Sequence, residues 1–230
     1  HVLALLLARQ AARAWPAATG LRRVAVDFYP VALVPLCFAE MGFVIQAAFP
    51  ELLYDAALAR IDHALFGGDP LLWFEGRRQP WLTELLFLCY LCFYFLPLAV
   101  AVHLHRRADP RFPRVAFEYV GCFLLSYLGY LLVPAIGPRF FLEGVEPLRG
   151  VLLFDGLMHA MNTLEAGARD CFPSGHTAVT LLVVVHAIRF ARPLCVVLLP
   201  ISAGLLLATV YLRLHYVVDL LAGVLLAVFV

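Results

Sequence analysis

Two short segments in the C-terminal half of the chain carry histidines in patterns suited to phosphate chemistry. In the first, Pro173-Ser174-Gly175-His176 separates a polar segment from an apolar run at 177–188. Proline and serine are residue types that begin helices, so this segment predicts a helix N-terminus at a membrane boundary. The first turn of a helix has unpaired N–H groups and a partial positive charge, which suit phosphate. Gly175 lets a ligand approach the backbone closely, and His176 would then lie beside the bound anion.

The second segment pairs His215 with Asp219, four residues further on. On a helix these two side chains share a face, so the carboxylate can hold one nitrogen of the imidazole. That contact fixes the tautomer and makes the far ring nitrogen more basic, as a histidine nucleophile requires. Taken alone, this pair also fits a helix-end histidine with its partner, and the first segment also fits ordinary helix capping.

A third segment indicates that the two histidines act together. His176 and His215 begin two predicted spans that enter the membrane from the same side, and a third span ends there with Gly137-Pro138-Arg139. The Arg139 guanidinium is a permanently charged bidentate donor suited to phosphate. One arginine, one helix N-terminus and two histidines at one face predict a phosphoryl-transfer site with a charge clamp, an acid and a nucleophile.

The composition places such a site in a membrane protein. Of the 230 residues 63% are hydrophobic, only 14% are charged, and the mean hydropathy is +0.90. A soluble domain is nearer half apolar. The net charge of +1, without a basic cluster, gives no indication of a nucleic-acid partner. The six cysteines lack the spacing of a zinc site, and the oligomeric state stays open.

The hydropathy pattern predicts an all-α, polytopic helical bundle forming a single membrane domain over 1–230. Residues 1–23 form an N-terminal segment, and residues 50–80, amphipathic and tryptophan-bearing, are predicted to be interfacial helices. The six predicted transmembrane helices are 24–49, 82–104, 115–135, 176–190, 194–212 and 215–230.

The arginines predict the orientation. Ten fall on one side of the predicted spans and seven on the other. The ten are Arg9, Arg13, Arg22, Arg23, Arg106, Arg107, Arg111, Arg114, Arg189 and Arg192. The positive-inside rule places this side in the cytoplasm, so we expect the Ser174 loop to face the extracytoplasmic side.

Over about residues 115–225 the chain resembles the type 2 phosphatidic acid phosphatase superfamily of lipid phosphatases and phosphotransferases, which includes vanadium haloperoxidases. Segment 173–176 is similar to its second signature, and His215 with Asp219 is similar to its third. The resemblance implies that His215 attacks phosphorus, that Asp219 orients it and that His176 protonates the leaving oxygen. It also implies that Ser174 and the Gly175 backbone bind phosphate oxygens.

The departures from the family pattern are similar to the branch of inositol phosphorylceramide synthases and their bacterial relatives. The lysine that usually begins the first signature is missing, and Gly137-Pro138-Arg139 stands there instead. Ala208-Thr209 replaces the usual Ser-Arg of the third signature, while Arg213 lies two residues before His215. We expect Arg213 to help bind phosphate, which requires a turn near 212–214. The segment 61–70 also resembles that branch.

These observations predict an enzyme of a bacterial plasma membrane, with its site on the extracytoplasmic face. It would remove or transfer the phosphoryl or phospho-head group of a membrane lipid through a phosphohistidine, with no metal and no cofactor. The acceptor would be water, an alcohol or a second lipid. Two alternatives stay open: a metal-dependent lipid hydrolase with His176, His215 and Asp219 as ligands, and a non-enzymatic lipid transporter.

Overall fold

The computed structural model describes Gln10 and residues 20–164 and 168–230, without the side chains of residues 21, 22 and 164. Most of the predicted segment 1–23 therefore lies outside the described residues. Within those ranges the secondary structure consists of helices joined by turns and loops, with no strand. The helices are α1 Gly20–Phe28, α2 Pro30–Ala48, α3 Asp55–Phe66, α4 Pro80–Leu91, α5 Phe95–Arg106, α6 Phe112–Leu132, α7 Pro138–Phe141, α8 Phe154–Leu164, α9 Gly175–Phe190, α10 Cys195–Tyr211 and α11 Val217–Phe229. Single 3₁₀ turns lie at Pro70–Leu72, Cys92–Tyr94 and Arg192–Leu194.

The helices occur where the six spans were predicted, but they differ in length. In the described part of the chain, four segments are long and apolar enough to cross a membrane: Arg23–Ala48, Pro80–Arg106, Phe112–Leu132 and Arg192–Tyr211. The other two, α9 and α11, are apolar but shorter, with 16 and 13 residues. The all-α fold and its membrane character are thus supported, whereas six transmembrane helices stay a prediction.

Helix α9 lies at the centre of the bundle. It packs against α5, α6, α10 and α11. Val179, Val183 and Ala187 recur every four residues along one face of α9, and each is fully buried in the largest apolar cluster. Their small and β-branched side chains let neighbouring helices approach closely, and burial of this face stabilises α9. The start of α9, which carries His176, is therefore fixed by packing on several sides.

Helix α3 occupies the segment predicted to hold interfacial helices. Its apolar side chains Ile61 and Leu65 are 43% and 58% exposed, as expected at a lipid interface. The same helix also carries Asp55, Leu58 and Asp62, and all three are buried against the rest of the protein. The helix thus directs its carboxylates inward. Its position in the membrane interface stays a prediction.

Candidate active site

A sharp turn between α10 and α11 sets the position of His215. Helix α10 ends at Tyr211, after which Leu214 N and His215 N both donate to the carbonyl oxygen of Thr209, at 2.8 and 3.0 Å. Arg213 adopts a left-handed backbone conformation, with φ of 59°, which is uncommon for a residue other than glycine. The predicted turn near 212–214 is confirmed, so residues 213 and 215 do not belong to one continuous helix.

The two predicted histidines meet at the start of α9. Nε2 of His215 lies 3.4 Å from Nδ1 of His176, and Nδ1 of His215 lies 3.4 Å from Oδ2 of Asp219. The His176 ring stacks on Tyr90 and contacts Phe93, with centroid distances of 4.7 and 4.2 Å. The three residues that sequence analysis assigned to catalysis therefore form one continuous chain of polar contacts.

The carboxylate of Asp219 is fully buried and is held by several donors besides His215. Tyr216 N donates to its Oδ2 at 2.8 Å, and the thiol of Cys171 donates to the same oxygen at 3.0 Å. Burial, reinforced by the negative charge of Asp219, raises the pKa of the Cys171 thiol well above its ordinary value, so the thiol keeps its proton. Buried carboxylates need such partners. These contacts fix Asp219 on the side of His215 away from His176.

The N-terminus of α9 is tied to the same carboxylate residue through the backbone. Ser174 N donates to the carbonyl oxygen of Asp219 at 3.0 Å. The Ser174 hydroxyl accepts from Thr177 N and from the Thr177 hydroxyl, at 3.2 and 3.0 Å, and thus caps the helix. Its own O–H hydrogen stays available for donation, as do the N–H groups of Gly175 and His176 by helix geometry.

Glycines allow this close packing. A Cβ on Gly175 would lie 2.7 Å from the Tyr130 hydroxyl and 3.2 Å from Oγ of Ser126. A Cβ on Gly223 of α11 would lie 2.6 Å from the carbonyl oxygen of Ser174. The missing side chain of Gly175 was predicted to make room for a ligand. In the structure that space is occupied by Tyr130 and Ser126, so Gly175 permits close helix packing there.

The two predicted arginines have different surroundings. Arg139 is half-buried on α7, its guanidinium lies 4.6 Å from the centre of the Phe140 ring, and its charge acts on His176. Arg213 is 4% exposed, and its guanidinium binds the Glu75 carboxylate and the Glu146 carbonyl oxygen. Its Nε is buried without a hydrogen-bond partner in the described part of the chain. Phosphate binding by Arg213 stays a prediction, because protein groups already engage two of its three nitrogens.

Sequence analysis missed the two carboxylates of α3 that hold the site together. Both oxygens of Asp55 accept consecutive backbone N–H groups, from Ile136 at 3.0 Å and Gly137 at 2.9 Å, just before α7. The Tyr216 hydroxyl donates to the same carboxylate at 3.1 Å. Asp55 thereby joins the segment that leads to Arg139 to the segment that carries His215.

Asp62 makes the equivalent contact at the start of α11. Its two oxygens accept from Val217 N and Val218 N, at 2.7 and 2.8 Å. Burial raises the pKa of Asp62, although these two donors act in the opposite direction. The spacing of 55, 58 and 62 along one helix face was a signal for this role, since carboxylates that share a face with a buried leucine need donors nearby.

Comparison with known proteins assigns the family. A sequence model of the PAP2 superfamily matches residues 56–230, which is most of the chain and includes the histidine pair, Asp219 and the Asp62 cap. The chain belongs to the PAP2 superfamily. The match begins well before the region 115–225 on which the resemblance rested, and it takes in most of α3.

A PA-phosphatase related-family protein of Dictyostelium discoideum is 23% identical to this PAP2 chain over 242 aligned positions. The alignment covers 85% of the chain but only 42% of that relative, so the chain spans less than half of the relative's length. No solved structure matches the chain significantly.

Proposed function

We propose that this protein transfers the phosphoryl or phospho-head group of a membrane lipid through a covalent phosphohistidine on His215. The observation that carries the proposal is the contact between Nε2 of His215 and Nδ1 of His176, 3.4 Å apart, while Asp219 occupies the other nitrogen of His215. Asp219 accepts a hydrogen bond from Nδ1–H of His215. The proton therefore stays on Nδ1, and Nε2 keeps its lone pair for attack. A phosphoryl group that enters between the rings replaces their hydrogen bond.

In the first step Nε2 of His215 forms a bond to phosphorus while the bond from phosphorus to the lipid oxygen breaks. His176 carries a proton once the phosphate anion is bound beside it, and it donates that proton to the departing oxygen. The products are a phosphohistidine on His215, a neutral His176 and a lipid alcohol. Stacking on Tyr90 and Phe93 keeps the His176 ring beside the site during this exchange.

In the second step an acceptor replaces the lipid. His176 removes a proton from water or from an alcohol, whose oxygen attacks phosphorus as the N–P bond of His215 breaks. Both histidines return to their starting protonation states. Water as acceptor gives a phosphatase, and an alcohol or second lipid gives a transferase.

Positive charge at the site stabilises the phosphoryl oxygens without a metal ion. The donors are the Arg139 guanidinium, the first-turn N–H groups of α9 and the Ser174 hydroxyl. Such preorganised donors supply the stabilisation that cations provide in soluble phosphotransferases. Arg213 would join them by exchanging its salt bridge with Glu75 for one with phosphate. The negative charge of the phosphate group favours this exchange.

The similarity of segment 61–70 and of the arginine positions to inositol phosphorylceramide synthases supports transfer to an alcohol. The test is a panel of lipid phosphates and phosphoinositides assayed with purified protein, with and without alcohol acceptors, measuring free phosphate and new lipid products. We expect turnover that vanadate inhibits and EDTA leaves unchanged. Products that form only as free phosphate would restrict the proposal to a phosphatase.

A metal-dependent mechanism has one structural argument in its favour. Among the described residues, ligand atoms of Cys171, His215 and Asp219 lie within 4.8 Å of one another. However, Oδ2 of Asp219 already accepts from Cys171 and Tyr216 N, and the thiol is protonated. The other ring nitrogen of His215 faces His176, beside the positive end of α9, which disfavours a cation there. Inactivation by chelators and recovery with one divalent cation would support this alternative. Folded protein without turnover on any lipid in the panel would favour the transporter.

A further inference from the structure

A partly open cavity of about 350 Å³ begins at the candidate active site and runs between α2, α5 and α6. At one end its walls include Gly175 and His176, and at the other end they include Asp27 and Phe28. Helix α2 forms one wall and α4 with α5 another, while α6 lines it along its length. The side chains that α6 contributes include Phe112, Ala116, Tyr119, Phe123, Tyr127 and Tyr130.

The positions of these α6 residues give the length of the cavity. They follow one another at spacings of three and four, so they form a single helix face. From Phe112 to Tyr130 the helix rises by about 27 Å, at about 1.5 Å per residue. The hydrocarbon core of a bilayer is about 30 Å thick, so each leaflet contributes about 15 Å. The cavity therefore extends beyond one leaflet and reaches nearly to the opposite membrane face.

Acidic side chains line the cavity near its two ends, Asp170 at the near end and Asp27 at the far end. Between them the walls are apolar and aromatic. The Tyr127 hydroxyl donates to the carbonyl oxygen of Val34 at 3.2 Å, and the Tyr119 hydroxyl is buried without a hydrogen-bond partner in the described part of the chain. At the far end the Asp27 carboxylate lies 2.9 Å from Nε2 of His105 and 3.5 Å from Nε of Arg23. This polar end matches the opposite membrane surface. An apolar passage with a phosphate-binding group at its near end fits a lipid phosphate whose hydrocarbon chain lies inside the protein.

We propose that the cavity binds one hydrocarbon chain of the lipid substrate along its length, and that it selects chains longer than the depth of one leaflet. The proposal rests on the proposed function, because the phosphate at His176 sets the starting point of the chain. A lipid with ordinary tails would fill only the near part of the cavity. A long-chain lipid phosphate, of the isoprenoid or very-long-chain type, would fill all of it.

The test introduces bulk at a chosen depth. Ala116→Phe fills the cavity near its far end, and Val120→Phe fills it one helical turn nearer to the histidines. Phe117→Trp is the matched control, because Phe117 is 77% exposed on the outer surface of the same turn. For each folded variant, kcat/KM is measured on a series of alkyl and prenyl monophosphates, from octyl upward, in mixed micelles. Thermal unfolding and size-exclusion profiles check folding.

With Ala116→Phe we expect kcat/KM for the longest chains to fall at least about tenfold, as expected when several methylene groups lose their pocket. The octyl substrate keeps its wild-type value. With Val120→Phe we expect kcat/KM to begin falling at a shorter chain length. With Phe117→Trp we expect kcat/KM to stay at the wild-type value for every chain length. Equal losses for all chain lengths, or none, would overturn the chain-binding proposal while leaving the phosphotransfer intact. Turnover that survives in His215→Ala would instead overturn the proposed function.

Discussion

Two histidine–carboxylate pairs lie at opposite ends of α9, and only one has surroundings suited to phosphoryl transfer. His215 and Asp219 meet at the start of the helix, with 3.4 Å between Nδ1 and Oδ2. His186 and Glu118 meet near its end, with 2.8 Å between Nε2 and Oε2. Both imidazoles are buried, at 4% and 5% exposure. The two imidazoles are thus buried to nearly the same extent and each contacts a carboxylate, although Glu118 also pairs with Arg114 at 2.7 Å.

The neighbours and the helix polarity differ. His215 faces a second imidazole, and the N-terminus of α9 offers N–H groups and partial positive charge. His186 packs against Tyr119 and Phe190, and the C-terminus of α9 offers carbonyl oxygens and partial negative charge. The helix dipole therefore favours phosphate at the first end and disfavours it at the second. For this reason we expect phosphate chemistry at the His215 pair.

The largest expected effect separates the two histidines directly. His215→Ala removes the proposed nucleophile, so we expect kcat to fall by roughly 10⁴-fold or more. His186→Ala removes a histidine of similar burial and is expected to change kcat by less than about threefold while lowering stability. Both are measured as release of phosphate or head group from the best lipid of the panel. Equal losses in the two variants would remove the distinction between the pairs.

The next comparison tests the carboxylates. Asp219→Asn keeps the shape but cannot stabilise the charge on His215, and it permits the wrong tautomer, so we expect a loss of roughly 10²- to 10⁴-fold in kcat. Glu118→Gln is the matched change at the other pair, with activity expected to stay within about threefold. The measurement is kcat for each variant beside its thermal unfolding. An active Asp219→Asn protein would contradict the orienting role.

Asp62→Ala tests whether α3 positions the nucleophile. The change removes the acceptor of Val217 N and Val218 N, and loss of such a cap costs about 0.5–2 kcal/mol in unfolding free energy. Because α11 carries Asp219, we also expect kcat to fall by roughly 10- to 100-fold with KM little changed. Asp69→Ala is the control, since Asp69 caps the turn Pro70–Leu72 and not the start of α11. Similar kcat losses in the two variants would contradict positioning by Asp62.

The smallest expected effect is on stability and concerns only the pair of His186 and Glu118. Glu118→Gln and His186→Ala together remove a contact between α6 and α9, so their stability losses are expected to be less than additive. A double-mutant cycle in thermal unfolding measures the coupling, expected at about 0.5–3 kcal/mol. Additive losses would mean that the two side chains contribute independently, and that the pair does not stabilise the bundle.

Local patterns were sufficient to predict much of this site. Capping chemistry at Ser174, the spacing of His215 and Asp219, and the turn near 212–214 follow from nearest-neighbour geometry. The same holds for the apolar spans. The contacts of Asp55 and Asp62 could not be found in this way, because each joins α3 to backbone N–H groups more than 80 residues further along the chain. The space beside Gly175 was assigned to a ligand for a similar reason: Tyr130 fills it from another helix.

Local sequence patterns could not predict the surroundings of the arginines either. Sequence spacing placed Arg213 close to His215, but its guanidinium binds Glu75 and Glu146 from distant loops. The starts of the helices, by contrast, followed from local patterns. Helix α9 begins at Gly175 and α11 at Val217, within two residues of the predicted starts at 176 and 215.

The central claim is that phosphorus passes through Nε2 of His215. Its most direct test is rapid acid-free quenching of the protein during turnover of a phosphorus-radiolabelled lipid substrate, followed by peptide mapping. The account predicts an acid-labile, base-stable label on the peptide that contains His215, lost when acceptor is added and missing in His215→Ala. Full turnover without any label on the protein, or a label carried by His176 instead, would contradict it.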